Sequence, residues 1–284
     1  GLPHNTIYSI IRTGDNQIYV GTYNGLCRYI ASNGKFEKIP LPVNSSQSNL
    51  FVNSLLEDTG RQCIWIGTEG YLFQYFPSTG QMKQTEAFHN NSIKSLALDG
   101  NGYLLAGTDN GLYVYHNDVT PLQHIIHDSR NIQSLTNNII WNIFADQEHN
   151  IWLGTDYGIS LSRYNSALQF IPISQITGTG DGNQFYSLFR DSKGFYWFGG
   201  TNGLIRFTDP AGDKHNAIWY RMGDKTYPLS HNRIRHIYED KEQQLWIATD
   251  GSINRYDYAT RQFVHYNIVD STGTYNTNWT YYMF

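Results

Sequence analysis

Ten histidines are scattered through the 284 residues, with no HExxH pair and no cysteine at zinc spacing from any of them. His124 and His127 stand three apart, a spacing that chelates only on a helix, and an exposed loop is the simpler reading of that stretch. No metal site is expected. Cys27 and Cys63 are too few for a disulfide framework or a four-ligand zinc site; two free buried thiols are the expectation and a single disulfide the alternative. Gly178, Gly180, Asp181 and Gly182 lack both the Lys-Ser/Thr of a phosphate-binding loop and the spacing of a dinucleotide fingerprint, so no cofactor is expected.

The acidic and basic residues that could do chemistry are repeated. Asp58, Asp99, Asp146, Asp191 and Asp240 recur at a near-constant interval. A catalytic pair is needed once, whereas a residue present in every repeat belongs to a structural turn. The stretch Asp191 to Trp197 approaches the Ser-x-Asp-x-Gly-x-x-Trp box of some glycosidases but carries an extra residue between Asp and Gly. Arg28, Arg163, Arg206 and Arg255 also recur, which favours a capping role over a cluster that grips an acidic ligand. No catalytic residue is assigned.

The elements that position these residues follow from composition and repetition. Apolar residues make up 40% of the chain, charged residues 15% and aromatics 15%, a profile suited to a β-rich globular fold. A net charge of −4 gives no positive field for nucleic acid, which is not an expected partner. No run of 18 apolar residues occurs, and the first 30 residues do not have the make-up of a signal peptide.

One phrase occurs six times: IYVGTYNGL from Ile18, IWIGTEGYL from Ile64, LLAGTDNGL from Leu104, IWLGTDYGI from Ile151, YWFGGTNGL from Tyr196 and LWIATDGSI from Leu245. Its glycine falls at 21, 67, 107, 154 and 199, with Ala248 in the last copy, so the period is about 45 residues, that of four short strands. A second phrase precedes each copy. It reads Asn, any residue, apolar, two of any kind, apolar, then usually Asp, as in Asn138, Ile140, Ile143 and Asp146. This second phrase predicts a first strand whose apolar residues, three apart, point to opposite faces.

The Asp then turns the chain into a second strand carrying Tyr19, Trp65, Trp152, Trp197 or Trp246, expected as wedges between repeats. Asn24-Gly25, Asn110-Gly111 and Asn202-Gly203 suggest type I′ hairpins into a third strand, while Glu69-Gly70 suggests one shortened hairpin. A ragged fourth strand, such as Lys35 to Ile39 or Gln262 to Tyr266, completes the unit. Small sheets that are apolar on both faces must stack on one another, and radial stacking makes an all-β fold, a β-propeller of four-stranded antiparallel blades.

The expected blades span about 4–48, 49–89, 90–136, 137–181, 182–230 and 231–274 of a single domain covering 1–284, with a partial seventh at 275–284. Asn276, Asn278, Trp279 and Tyr282 read as that first strand, which suggests a seven-bladed ring cut within its last blade, in preference to six blades with an extra strand.

Ligand recognition is expected where copies differ at one structural place. The turn residues Tyr23, Glu69, Asp109, Tyr157, Asn202 and Asp250, and the inner-strand residues Tyr8, Trp141, Tyr186 and Arg235 with His231 beside them, gather on the face where inner strands begin. Rings mixed with amides and carboxylates suit a sugar, whose apolar face packs on an aromatic ring while its hydroxyls are hydrogen-bonded.

The paired phrases GLPHNTIYSI with YVGTYNGLCRY and NNIIWNIFAD with IWLGTDYGI resemble the two-component regulator propeller repeat, over nearly the whole chain. Thr13 in place of the usual Asp, and Ala248 in place of Gly, depart from the pattern. The resemblance implies the periplasmic sensor region of a Bacteroides-type hybrid two-component histidine kinase anchored in the inner membrane. It also implies an oligosaccharide ligand, a homodimer and no enzymatic activity in the chain itself. A propeller lyase or glycosidase, or a protein-binding scaffold whose ligand is held by a second propeller, are the alternatives.

Overall fold

The computed structural model describes residues 1–42, 50–85, 91–116, 118–164, 170–172, 183–208, 217–226, 228–267, 280 and 283. Among them there is no helix. Twenty-four strands form six four-stranded antiparallel sheets, each in sequential order. The first sheet holds β1 to β4 (Ile7–Arg12, Ile18–Thr22, Gly25–Ile30, Lys35–Ile39) and the second β5 to β8 (Val52–Asp58, Cys63–Thr68, Leu72–Phe76, Gln81–Gln84). The third holds β9 to β12 (Ile93–Leu98, Leu104–Thr108, Gly111–Tyr115, Pro121–Ile125) and the fourth β13 to β16 (Ile140–Ala145, Ile151–Thr155, Gly158–Ser162, Phe170–Pro172). The fifth holds β17 to β20 (Phe185–Arg190, Tyr196–Gly200, Gly203–Phe207, Ile218–Tyr220) and the sixth β21 to β24 (Ile234–Glu239, Leu245–Thr249, Ile253–Asp257, Gln262–Tyr266). These are the blades that the repeat predicts, and the fourth strands β4 and β24 have the expected bounds.

Contacts group the chain into two compact units, Gly1–Ile126 with Asn138–Ala145, and His127–Asn137 with Asp146–Phe284. The first therefore holds three sheets and β13; the second holds β14 to β24.

The repeated glycine marks where one blade meets the next. A Cβ on Gly107 would lie 2.6 Å from Ile140 Cγ2, and one on Gly154 would lie 2.6 Å from the Phe185 carbonyl oxygen. The apolar residue of the second phrase thus sits directly on the glycine of the preceding blade. The carbonyl of its Asn accepts the N–H of that blade's turn glycine: Gly111 to Asn138 at 2.7 Å, Gly158 to Asn183 at 3.1 Å and Gly203 to Asn232 at 2.7 Å. The two phrases recur together because they touch across blades.

The two apolar residues of the first strand share a face, contrary to the expectation. Ile140 and Ile143 both approach Gly107, and Ile234 and Ile237 both approach Gly199. A β-bulge explains this: in β1, β5, β9, β17 and β21 the register slips by one residue, at Tyr8, Asn53, Lys94, Tyr186 and Arg235. An extra residue between them turns a spacing of three into one of two, which restores a common side.

Four of the five aromatic wedges are buried as predicted, and Trp246 is half-buried. Trp65, Trp152 and Trp197 are fully buried, and Tyr19 nearly so. Trp65 packs with Ile93 and Leu96 of the following blade, and Trp197 with Ile234 and Ile237. Their indole N–H groups are anchored by the repeated Asp: Trp65 to Asp58 at 3.0 Å, Trp152 to Asp146 at 2.9 Å, Trp197 to Asp191 at 2.7 Å and Trp246 to Asp240 at 2.7 Å. The second carboxylate oxygen accepts backbone N–H groups of the turn, such as Phe195 at 2.8 Å and Gln244 at 2.8 Å. Burial works to raise the Asp58 carboxyl, but hydrogen bonds from Trp65 and Arg61 outweigh it and leave the group below its usual range.

The hairpins differ from type I′. Gly25, Gly111 and Gly203 have positive φ (100°, 93° and 102°), whereas Asn24, Asn110 and Asn202 do not. The preceding threonine supplies the missing order. Thr22 Oγ1 donates to the Gly25 carbonyl at 2.9 Å and accepts the Asn24 N–H at 3.1 Å, an arrangement Thr108 repeats. The Glu69-Gly70 hairpin is not shortened, since Gly67 pairs with Leu72 as Gly21 pairs with Leu26. Only its glycine stands one place earlier in the turn.

Cys27 and Cys63 are free and buried, as expected, and burial pushes the Cys27 thiol up to about 11. His124 and His127 do not converge. His124 Nε2 meets the Asn110 carbonyl at 2.6 Å with its ring stacked on Tyr113, while His127 meets the Leu135 carbonyl. No group of metal-ligating side chains occurs among the described residues. Arg28 and Arg255 stay within their blades, Arg28 on Glu37 at 2.8 Å, whereas Arg206 reaches the next blade and donates to the Tyr256 hydroxyl at 2.9 Å. Arg255 lies 5.9 Å from the Tyr266 ring centroid. The glycine-rich stretch 178–182 and the residues Asn276, Asn278, Trp279 and Tyr282 lie outside the described residues.

Two described residues bear on the seventh repeat. Met283 N–H donates to His236 Nδ1 at 3.3 Å, as Ile143 N–H donates to Ser95 Oγ and Ile237 N–H to Ser187 Oγ, both at 3.0 Å. Met283 stands five residues after Asn278, as Ile143 does after Asn138 and Ile237 after Asn232. The blade count is six with the beginning of a seventh.

Candidate functional site

The bulge selects the side chains that vary between blades. Tyr8, Lys94, Tyr186 and Arg235 are bulge residues, and Trp141 holds the equivalent place three after Asn138. A bulge turns its extra residue out of the ladder and re-aims its side chain, which is why this position is not bound to the blade-to-blade packing. Beside each bulge lies a turn between second and third strands. The candidates therefore fall into two groups, one in each unit.

In the first unit, Tyr23 of the β2–β3 turn packs edge-on to Phe51 at 4.3 Å between centroids and against His4 at 4.7 Å. Tyr8 approaches Phe51 at 6.2 Å and is 37% exposed. These four rings form an apolar surface. Beside it, in the same unit, is a charged cluster. Glu69 of the β6–β7 turn forms a bridge pair with Ser92, whose N–H donates to Asp109 Oδ2 at 3.1 Å. Asp109 Oδ1 meets Lys94 Nζ at 2.9 Å, and that ammonium lies 4.2 Å from the centre of the Trp141 ring. Burial pushes the Glu69 carboxyl up; Lys94 opposes this and Asp109 adds to it.

In the second unit, Asp250 of the β22–β23 turn holds Arg235 by two hydrogen bonds, at 2.6 and 3.1 Å. Arg233 stands 3.8 Å from the same carboxylate. The Arg235 guanidinium lies 5.9 Å from the Tyr186 ring centroid. The Tyr186 hydroxyl donates to Gln184 Oε1 at 2.6 Å, and Gln184 Nε2 donates to Asp156 Oδ1 at 2.6 Å. Burial raises the Tyr186 phenol, keeping it a neutral donor. Tyr157 is 59% exposed beside this network on the β14–β15 turn. Asn202 is tied by its backbone, its N–H donating to Asn183 Oδ1 at 2.9 Å and its carbonyl accepting from Arg221. His231 Nδ1 accepts the Arg233 N–H at 3.0 Å.

Of the ten residues read from the sequence, Glu69, Asp109 and Trp141 come together, Tyr8 and Tyr23 join through Phe51, and Tyr186, Arg235 and Asp250 form one network. Lys94, Phe51, Gln184 and Arg233 were missed. Lys94 had a signal, standing three after Asn91 as Tyr8, Trp141, Tyr186 and Arg235 stand after their asparagines. Chemically, these groups offer ring faces and fixed hydrogen-bonding partners at their edges, with carboxylates engaged by cations. Ring faces with fixed polar edges are what a small-molecule binding site uses.

The two-component regulator propeller family matches residues 1–24, 134–157, 179–202 and 228–251, each window containing one second phrase and the turn after it. The chain is 94% identical, over 98% of its length, to a segment comprising 38% of the extracellular domain of the hybrid two component system BT4673 from B. thetaiotaomicron, with a TM-score of 0.57. It is 26% identical, over 98% of its length, to the histidine kinase P4 of Formosa agariphila, of which it spans 21%. Virginiamycin B lyase from Staphylococcus aureus shares the fold, with a TM-score of 0.69 at 13% identity, covering 92% of this chain and 84% of the lyase. The described residues include no helix long and apolar enough to cross a membrane. With its repeats, its blades and these matches in agreement, the chain is a β-propeller that carries two-component regulator propeller repeats.

Proposed function

We propose that this chain is a ligand-sensing propeller in the periplasmic region of a hybrid two-component sensor kinase, and that it detects an oligosaccharide released from a glycan. The observation that carries the reading is the near-identity with a segment of the BT4673 extracellular domain. The chain spans about a fifth of the histidine kinase it matches and just over a third of the BT4673 domain, so kinase activity belongs to the longer protein in this reading. Signalling would pass through a homodimer of the full extracellular region to a kinase across the inner membrane.

The saccharide assignment is supported by the ring surface of Tyr8, Tyr23 and Phe51, and by the polar network of Tyr186, Gln184 and Asp156. A pyranose offers an apolar face to such rings and hydroxyls to such networks. The likeness to the lyase is one of fold and brings no reaction with it.

Calorimetry of the chain and of the complete extracellular region against neutral and acidic oligosaccharides tests the reading. Saturable binding that weakens in Tyr23→Ala and Tyr186→Ala is expected. Depolymerisation of a glycan by the chain, abolished by Glu69→Gln, Asp109→Asn or Asp250→Asn, would replace the sensor with an enzyme.

A further inference from the structure

Lys94 occupies the Trp141 ring. Its side chain is 17% exposed, its ammonium is 2.9 Å from Asp109 Oδ1, and the same ammonium is 4.2 Å from the centre of the indole. Asp109 is fixed in turn, because its other oxygen accepts the Ser92 N–H. A lysine stem is flexible and its head makes a single-point contact, so it moves without rebuilding the strand that bears it. A sugar face stacks on an indole at the distance the ammonium now holds, and the two cannot share that face.

The second unit carries the same combination in a locked form. Arg235, also a bulge residue, grips Asp250 through two hydrogen bonds, and its guanidinium stands farther from its ring, 5.9 Å from the Tyr186 centroid. A cation at the bulge, an acid at the adjoining turn and a ring at a neighbouring position of the repeat thus occur twice, once with the cation held by one carboxylate oxygen and once by two.

We propose that Lys94 gates Trp141: the ammonium is the ring's internal occupant, and the ring receives a ligand's apolar face only when Lys94 withdraws, with Asp109 setting how often it does. The proposal rests on the saccharide reading above for the ligand, though not for the gate. If the face is uncovered in about one molecule in ten, apparent affinity is about tenfold weaker than with the ring permanently open.

The test is acrylamide quenching of tryptophan fluorescence in the full chain, with the share of Trp141 obtained by comparison with Trp141→Phe in each background. Lys94→Ala should raise that share roughly twofold or more, Asp109→Asn should raise it less, and Lys94→Arg should restore the original value. Asp109→Asn keeps an acceptor for Ser92 and serves if Lys94→Ala fails to fold. An unchanged Trp141 share in both Lys94→Ala and Asp109→Asn overturns the gate. Cellohexaose and trigalacturonate are then added to Lys94→Ala. Protection of Trp141 by either, at a concentration about tenfold lower than in the parent chain, supports gating of a saccharide site. Protection at the same concentration in both proteins overturns it. A uncovered Trp141 that neither sugar protects overturns the saccharide reading alone.

Discussion

His236 makes stability depend on pH in a window that the structure defines. Its ring lies in the sixth blade's first strand at the place held by Ser95 and Ser187 in other blades, and its Nδ1 accepts the Met283 N–H. Burial lowers its pKa from 6.5 to about 4. Above pH 6.5 both folded and unfolded chains carry a neutral ring, and His236 adds no pH dependence. Between 6.5 and 4 the unfolded chain takes up a proton that the folded chain refuses, so stability falls as the pH falls. Below about 4 the folded ring is protonated too, Nδ1 can no longer accept, and the loss levels off. Linkage puts the loss on the order of 2 kcal/mol at pH 5 and about 3 kcal/mol at pH 4.

The perturbation is His236→Ser, which installs the hydroxyl that two other blades use and does not titrate. It costs packing by an amount independent of pH, roughly 1–3 kcal/mol for a partly filled site. Urea unfolding of both proteins, followed by fluorescence at pH 7, 5.5 and 4.5, reads the difference. The variant should be less stable at pH 7 and the gap should close, or reverse, as the pH drops. Other histidines and carboxylates titrate in both proteins and cancel in the difference. A gap that stays constant over the whole range would refute the reasoning, because it would mean that the folded ring protonates as readily as the unfolded one.

Three further outcomes follow from the packing. Asp191→Ala leaves the buried Trp197 indole N–H and the Tyr258 hydroxyl without their acceptor, and should cost about 2–4 kcal/mol by urea unfolding; Asp191→Asn, which keeps an oxygen there, should cost less. Gly154→Ala drives a Cβ to 2.6 Å from the Phe185 carbonyl oxygen, a backbone atom that cannot rotate away, so a loss of roughly 1–3 kcal/mol is expected, with little change for Ala248→Gly. Cys27 and Cys63 are buried, and burial raises both thiols, so a thiol reagent at pH 8 should label the folded chain far more slowly than the unfolded one; rapid labelling of either in the folded state would contradict their burial.

Much of the fold was legible because its determinants are short and repeated. The period and the strand order are written in each copy and the aromatic wedge in all but the third, where Leu105 stands, and six copies average out local variation. The hairpin type was misread because Asn-Gly has two ways to turn. Thr22 and Thr108 choose between them through a side-chain hydrogen bond that a dipeptide rule does not contain. The common face of Ile234 and Ile237 escapes the pattern for a related reason: strict alternation holds only in an unbulged strand.

The candidate site was half legible. Variation at the bulge position exposed Tyr8, Trp141, Tyr186 and Arg235, and the turns exposed Glu69, Asp109 and Asp250. Lys94 was legible in principle from its place three after Asn91, whereas a lone glutamine such as Gln184 has no chemical meaning until its neighbours are known.

By itself, then, the sequence determined the blade, its period and most of the aromatic wedges between blades, since burial acts on residue type wherever the repeat recurs. Only the tertiary structure decided which cation lies on which ring. The partners in each such pair come from strands about 50 residues apart in the chain, Lys94 with Trp141 and Arg235 with Tyr186, and no local pattern couples residues that meet only when blades stack.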